Sequence, residues 1–362
     1  MGARLAVEVH RLLFEPQGPL DLLLYHELIR DWFAQTRVYV GYRGAIHPPA
    51  VFLLLWPFFG WAPAQLEPWY YALTTALVIA SFVKLLLREA RPASGLDRGL
   101  LAVLIVACYP AAITIGNGQI TFHVLLAALA GILLQLREPP SARRDAVVAA
   151  LFLFALVKPN LTLPFFWVIA FSKGWVRPAV LAVVAYLVAT VVSVALHGTG
   201  LDAVRALLAA WYYKSEYALA TTGYGNLHLW LGELGLDSWV FPASGLVFTL
   251  HGAWAWRHRG ADLWLLMGVA AIVARVWAYH RVYDDLLLIF PVIALYRLAR
   301  GDSPDAGAWM LFLLGAVALA APITPLIEHA SWTMVAVWFL QLAYLMRRAR
   351  PSPTRAPAVS AA

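Results

Sequence analysis

Asp21 opens the stretch Asp21-Leu22-Leu23-Leu24-Tyr25-His26-Glu27, a carboxylate set directly against leucines. Such a group suits proton abstraction from a hydroxyl held within hydrogen-bond reach. It suits equally the start of a helix, where a short acidic side chain caps free N–H groups. Leu24, Leu28 and Trp32 then recur at helical spacing, with Glu27, Arg30 and Asp31 on a solvated face. Further on, Gly116-Asn117-Gly118-Gln119 offers amide donors and acceptors suited to a hydroxyl-rich ligand. Its glycines also permit a plain tight turn.

The cations are the harder groups to place. Lys158 stands between Val157 and Pro159, and Arg275 lies inside the apolar run Leu263–Ala278. A charge at mid-bilayer costs about 2.5–3.5 kcal/mol on insertion scales, so each calls for a reason. A fixed phosphate ligand is one reason, since guanidinium binds phosphate oxygens in pairs. Snorkelling of Lys158 to the interface is another. His280 and Arg281 follow Arg275 closely, and Asp284 and Asp285 come next as alternative ion-pair partners for these cations. His47, ahead of Pro48 and Pro49, starts an apolar, proline-rich stretch and joins the candidate site. So do Tyr25, Asn160 beside Lys158, and Asn226, which reads either as a sugar ligand or as the cap of a helix from Leu227 to Leu234.

Something must hold these groups near one surface, and composition says what. Of 362 residues 62% are hydrophobic and 13% charged, with a mean hydropathy of +0.71. A soluble domain carries roughly 25% charged residues. A soluble globular fold, a disordered chain and a disulfide-stapled module are thereby excluded, the last also because Cys108 is the single cysteine. The expected class is an all-α polytopic membrane protein. Apolar runs that do not alternate argue against membrane strands.

Eleven spans are expected: Trp69–Leu87, Leu100–Ile115, Ile120–Leu136, Val147–Val157, Leu161–Phe171, Val180–Leu196, Trp239–Trp256, Leu263–Ala278, Val282–Leu298, Ala308–Ala321 and Ser331–Met346. Pro49–Pro63 reads as an interfacial or re-entrant helix. No h-region forms between Arg4 and Leu20, so residues 1–66 are expected to be an N-terminal extracytoplasmic or interfacial segment with no span before Asp21. Residues 67–346 form the transmembrane domain, with an extracytoplasmic loop at 198–238, and 347–362 a basic, unstructured cytoplasmic tail.

The net charge of +7 fits loop asymmetry better than nucleic-acid binding. Lys84, Arg88, Arg91 and Arg98, Arg137, Arg143 and Arg144, Lys173 and Arg177, Arg257 and Arg259, Arg297 and Arg300, and the tail from Arg347 fall at every second crossing if Lys158-Pro159-Asn160 marks a turn between two short helices rather than the break of one, and if Pro49–Pro63 does not cross or crosses and returns. These loops are cytoplasmic by the positive-inside rule. Asp21–Pro48, Gly116–Gln119, Lys158–Asn160, Gly198–Ser238, Tyr279–Arg281 and Pro322–Glu328 then share the outer face. No P-loop, GxGxxG, HExxH or CxxC occurs.

The order of these pieces resembles the C-type membrane glycosyltransferases, and most closely glycosyltransferase family 87. The matching pieces are Asp21-Leu-Leu-Leu-Tyr25, Val38-Tyr39, His47-Pro48-Pro49 leading to Pro57, Gly118-Gln119, Lys158-Pro159, and Trp277 with Tyr279-His280. The resemblance covers the chain from Asp21 onward, although the family's usual first transmembrane helix is absent and His47 stands where many relatives have Tyr. It implies a helical bundle with interfacial helices in the first extracytoplasmic loop. It implies a multi-pass protein of the bacterial cytoplasmic membrane, with its active site on the extracytoplasmic side. The activity implied is inverting transfer of a hexose, mannose by family default, from a polyprenyl-phosphate donor to an envelope glycolipid or glycan acceptor.

Asp21 would be the general base. Lys158, Arg275, Arg281 and His280 would bind the donor phosphate. Tyr25, His47, Asn117, Gln119, Asn160, Asn226 and Asp284 would line the substrate site. No cofactor, no metal ligand set and no nucleic acid partner is expected, with a divalent ion left open. The competing reading is a transporter or lipid flippase, which would show internal repeats and polar groups at midplane. No repeat is seen, and the polar groups favour one face.

Overall fold

The computed structural model describes residues 2–15, 17–39, 46–59, 61–171, 176–221, 225–301, 305–321 and 330–349. Lys173, the segment Pro322–Glu328 and the tail from Arg350 lie outside the described residues.

Every described regular element is helical. In chain order they are α1 (Gly2–Phe14), α2 (Leu20–Phe33), α3 (Pro49–Phe59), α4 (Glu67–Ala90), α5 (Gly95–Ala107), α6 (Tyr109–Gly116), α7 (Thr121–Arg137), α8 (Ala142–Ala155) and α9 (Pro159–Phe171). There follow α10 (Arg177–His197), α11 (Leu201–Thr221), α12 (Leu227–Glu233), one turn of 3-10 helix (Asp237–Trp239), α13 (Val240–Arg257), α14 (Leu263–Trp277), the longer 3-10 helix (Val282–Leu288), called the 3-10 helix below, α15 (Ile289–Ala299), α16 (Ala306–Ala320) and α17 (Ala330–Arg348). Local chemistry sets many of the starts. Ser94, Ser141, Asp262 and Asp305 accept backbone N–H groups at the first turns of α5, α8, α14 and α16. Gly198, at φ 80°, ends α10 in the left-handed conformation that closes helices at low cost.

Helices occupy all eleven expected span positions, but their lengths correct the expectation. Among the described residues two helices, α4 and α10, are long and apolar enough to cross a membrane, and three if the bent pair α5–α6 counts as one. The expected span Leu100–Ile115 breaks by 41° at Cys108. There Pro110 in the first turn of α6 offers no N–H to the preceding turn. The expected span Val282–Leu298 begins as a 3-10 helix and becomes α-helical only at Ile289. The sequence also led to no element ahead of Asp21, yet α1 occupies Gly2–Phe14. Its Glu8 is buried between Arg4 and Arg11 and packs onto Gly116 of α6. At the other end, α17 runs on through Arg347 and Arg348.

α14, α15 and the 3-10 helix form the most deeply buried part of the molecule, with Met267, Ile272, Leu286 and Phe290 essentially inaccessible. Around them α7 packs on α8 and α9, α10 on α3 and α8, and α1 on α6. The two ends of this bundle differ in chemistry. At the end holding the C-termini of α4, α7 and α15, Arg137 and Arg297 meet Glu89. There too Arg300 lies 2.9 Å from Asp97 and Arg297 3.6 Å from Asp262. The opposite end, at the N-termini of α7 and α9 and the C-terminus of α14, gathers Gln119, Lys158 and His280.

Candidate active site

α2 carries Asp21 into the second helical position, because Pro19 takes the N-cap. The carboxylate is therefore not the cap. The helix is instead docked by its main chain: the N–H groups of Asp21 and Leu22 both reach the carbonyl of Asn117, at 3.0 and 3.2 Å. Gly118 makes this approach feasible. Its φ is +73°, and a Cβ there would lie 2.4 Å from the Cβ of Leu22.

Beyond that contact the Gln119 side chain acts as the hub. Its Oε1 accepts from Lys158 Nζ at 2.9 Å and from the Tyr25 hydroxyl at 3.3 Å. Its backbone is held as well: the N–H reaches Thr114 O at 2.9 Å, and the carbonyl accepts from Tyr71 at 2.7 Å.

Lys158 spends all three ammonium protons on protein. Besides Gln119 it donates to Thr121 Oγ1 at 3.1 Å and Asp284 Oδ1 at 2.8 Å, and it sits 4.9 Å from the centre of the Tyr283 ring. Asp284 is equally occupied. Its Oδ2 accepts the Arg281 backbone N–H at 3.2 Å and lies 3.5 Å from His280 Nδ1. Both members of the pair are buried, at 5% and 3% exposure. Arg275, 1% exposed, is consumed elsewhere: it pairs with Asp285, donates to Gly225 O at 3.2 Å and lies over Trp338. The alternative partners for these cations, Asp284 and Asp285, are the ones seen.

Arg281 differs. It is half-buried, its Nε donates to the Tyr279 hydroxyl at 2.5 Å, and no carboxylate salt bridge claims it among the described residues. Asp21, also half-buried, is likewise in no salt bridge there. Burial raises the Asp21 pKa from its ordinary value. The Gln119 bond and the cations Lys158 and Arg281 oppose that rise, and the Asp284 charge adds to it. His47, half-buried, packs at a tilt of 38° against Tyr25 with ring centres 5.3 Å apart. Burial first, and the nearby Lys158 cation second, push its pKa down to about 4, so it stands neutral at pH 7.

Asp21, Tyr25, His47, Gln119, Lys158, Arg281, His280 and Asp284 are thus brought to one place. Three other expected members serve different ends. Asn226 caps α12, its Oδ1 accepting the Leu229 N–H at 2.9 Å. Asn160 ties α9 to the loop after α14, donating to Tyr279 O at 3.2 Å and accepting from Trp277 at 2.8 Å through its carbonyl. Asn117 contributes its main chain to the docking of α2.

Sequence reasoning passed over Thr121, Tyr71 and Tyr283. It also passed over a buried pair behind α2, in which His26 Nδ1 lies 2.6 Å from Glu67 Oε1. An acid at the head of the apolar run of α4 was the available signal for Glu67. Its partner, 41 positions away, had none. Among the described residues no group of three or more His, Cys, Asp or Glu side chains could hold a metal ion.

The chain matches no protein-family model, no curated protein and no solved structure.

Proposed function

We propose that the chain is an integral-membrane, inverting hexosyltransferase of the C-type, family 87-like class. It takes a sugar, mannose by analogy, from a polyprenyl-phosphate donor to a glycolipid or glycan acceptor. In this reading α2 and α3 are the interfacial helices of the first extracytoplasmic loop. The site faces outward across the bacterial cytoplasmic membrane, opposite the arginine-rich helix ends.

One observation carries the reading: a half-buried carboxylate, Asp21, and a half-buried guanidinium, Arg281, share a site, and among the described residues neither is closed off by a salt bridge. A base and a spare cation are the parts that sugar transfer from a lipid phosphate needs. Asp21 takes the acceptor hydroxyl proton as that oxygen attacks the anomeric carbon from the face opposite the phosphate. The anomeric C–O bond breaks, and its electron pair leaves on the phosphate oxygen. Arg281 donates N–H groups to the phosphate as charge develops there.

The contact to phosphate therefore moves to Arg281 from Lys158, Arg275 and His280. Lys158 and Arg275 are already paired, and they add positive field without a free donor. Asp284 holds Lys158 and the Arg281 main chain in place. The raised Asp21 pKa makes a stronger base at the cost of an acid limb higher than the ordinary carboxyl value would set.

The test is transfer by the purified full chain in lipid nanodiscs, given radiolabelled polyprenyl-phosphate hexoses and envelope lipid extract. Product formation is expected, with Asp21→Asn reducing it at least about a hundredfold at unchanged expression. No product with any donor would overturn the reading and favour a transporter.

A further inference from the structure

Ala278 leaves α14 in extended backbone, at φ -143° and ψ 176°, and Arg281 enters the 3-10 helix likewise, at -112° and 169°. Alternate side chains of an extended segment share a side. Tyr279 and Arg281, both half-buried, do so, while His280 between them is 1% exposed and bonds Ala274 O. The pair is joined: Arg281 Nε donates to the Tyr279 hydroxyl at 2.5 Å. Both main chains are tied down. Asn160 Nδ2 donates to Tyr279 O at 3.2 Å. Asp284 accepts the Arg281 N–H at 3.2 Å through its side chain, and its own N–H reaches Arg281 O at 2.9 Å.

Donors are left over. A guanidinium offers five N–H groups, and among the described residues only the one on Nε meets a protein acceptor. The Tyr279 oxygen takes that bond on a lone pair, so its own hydrogen is still to give, and no acceptor for it lies among the described residues. Charge is left over as well. In the bonded cluster of Lys158, Asp284 and Arg281 the first two cancel, and the guanidinium is the remainder. A carboxylate would bring two coplanar oxygens to it. The open end of the fork and a hydroxyl beside it call for three oxygens that are not coplanar, which a tetrahedral phosphate presents.

We infer that Tyr279 and Arg281 together form a phosphate site: the Tyr279 hydroxyl, held by Arg281 Nε, donates to one phosphate oxygen while the open end of the guanidinium takes two others. The bond received from the cation strengthens the hydroxyl as a donor. The inference adds Tyr279 to the ligands, and rests on the reading above only for the phosphate being that of a lipid-linked donor.

The test is binding, and needs no transfer. Farnesyl phosphate is titrated onto the purified full chain in lipid nanodiscs, with farnesol as the uncharged control and inorganic phosphate as the free ion. Tyr279→Phe keeps the ring and removes the donor. It is expected to raise the farnesyl phosphate Kd about tenfold and to leave farnesol within about twofold. The sharper comparison is made in the Arg281→Gln background. A hydroxyl that only props the guanidinium has nothing left to do there, and Tyr279→Phe would be silent. A hydroxyl that donates to phosphate still counts, so the Kd is expected to rise about threefold further or more.

Should Tyr279→Phe fail to fold, Asn160→Ala serves. It leaves both donors and frees the Tyr279 main chain, so the farnesyl phosphate Kd is expected to rise about threefold with farnesol unchanged. A Kd unmoved by Tyr279→Phe, or by Asn160→Ala where that is the variant that folds, overturns the inference. So does a silent Tyr279→Phe in the Arg281→Gln background, or a wild-type chain that binds farnesyl phosphate no better than farnesol. Binding that depends on Tyr279 in a chain without transfer upholds the inference and removes the hexosyltransferase reading alone. Inorganic phosphate held as tightly as farnesyl phosphate likewise upholds the pair and removes the lipid-linked donor.

Discussion

The Lys158–Asp284 pair fixes the site's cation, and its energetics can be worked from the geometry. At 2.8 Å and an effective dielectric of about 20, the attraction is about 6 kcal/mol before the desolvation of two buried ions is counted. Desolvation cancels much of this, so the pair itself is worth little. Breaking it is another matter, since one buried charge is left uncompensated at about 3–5 kcal/mol. Asp284→Leu falls at the lower end, because Lys158 retains Gln119, Thr121 and the Tyr283 ring. Lys158→Met leaves Asp284 with only the Arg281 N–H and His280, and costs about as much. The double variant carries neither charge, so its cost is expected to be smaller than the sum of the singles by about 3 kcal/mol or more.

The chain supplies its own reporter. Cys108 is the one cysteine and is fully buried at the α5–α6 break. A thiol-reactive fluorogenic probe therefore reads unfolding in detergent across a denaturant or temperature series. Singles within about 1 kcal/mol of wild type, or a double variant equal to their sum, would refute the reasoning.

Arg281→Gln is expected to raise the donor KM about tenfold or more, from loss of charged hydrogen bonds of about 1.5–3 kcal/mol. Arg281→Lys should recover only part of this, because the bidentate fork is lost; steady-state kinetics with varied donor checks both. Asn226→Ala should cost about 1 kcal/mol in the same unfolding assay, as a lost helix cap, while the KM for donor and acceptor stays unchanged. A selective rise in acceptor KM would restore Asn226 to the substrate site.

The helical class and the position of nearly every helix were legible in the apolar runs, because burial in lipid or core demands continuous apolar stretches. Helix lengths were not. Hydropathy does not register where Pro110 interrupts a run, or where Val282–Leu288 winds as a 3-10 helix. α1 escaped because Glu8 and Arg11 break its apolar run, and only their pairing allows it to pack.

The members of the site were legible as polar residues out of place, and Asp21, Gln119, Lys158, Arg281 and Asp284 do gather. Their states were not. Which cation is spent on a carboxylate depends on contacts such as Lys158–Asp284, 126 positions apart, that no local pattern encodes. Asn160 and Asn226 show the converse. In apolar surroundings an amide is first claimed by orphaned backbone groups, so polarity alone overstates the ligand set.

The dock of α2 on the carbonyl of Asn117 has a consequence for variation. A main-chain acceptor is present whatever side chain stands at 117, so exchange there leaves Asp21 and the start of α2 anchored. The Asn117 side chain itself is half-buried at the edge of the site. One position thus keeps two separate parts, on separate atoms: its carbonyl holds the first turn of α2, and its side chain can change without touching that hold. Gly118, fixed by its φ and by Leu22, has no such latitude, so sequence drift is tolerated at 117 and stops at its neighbour.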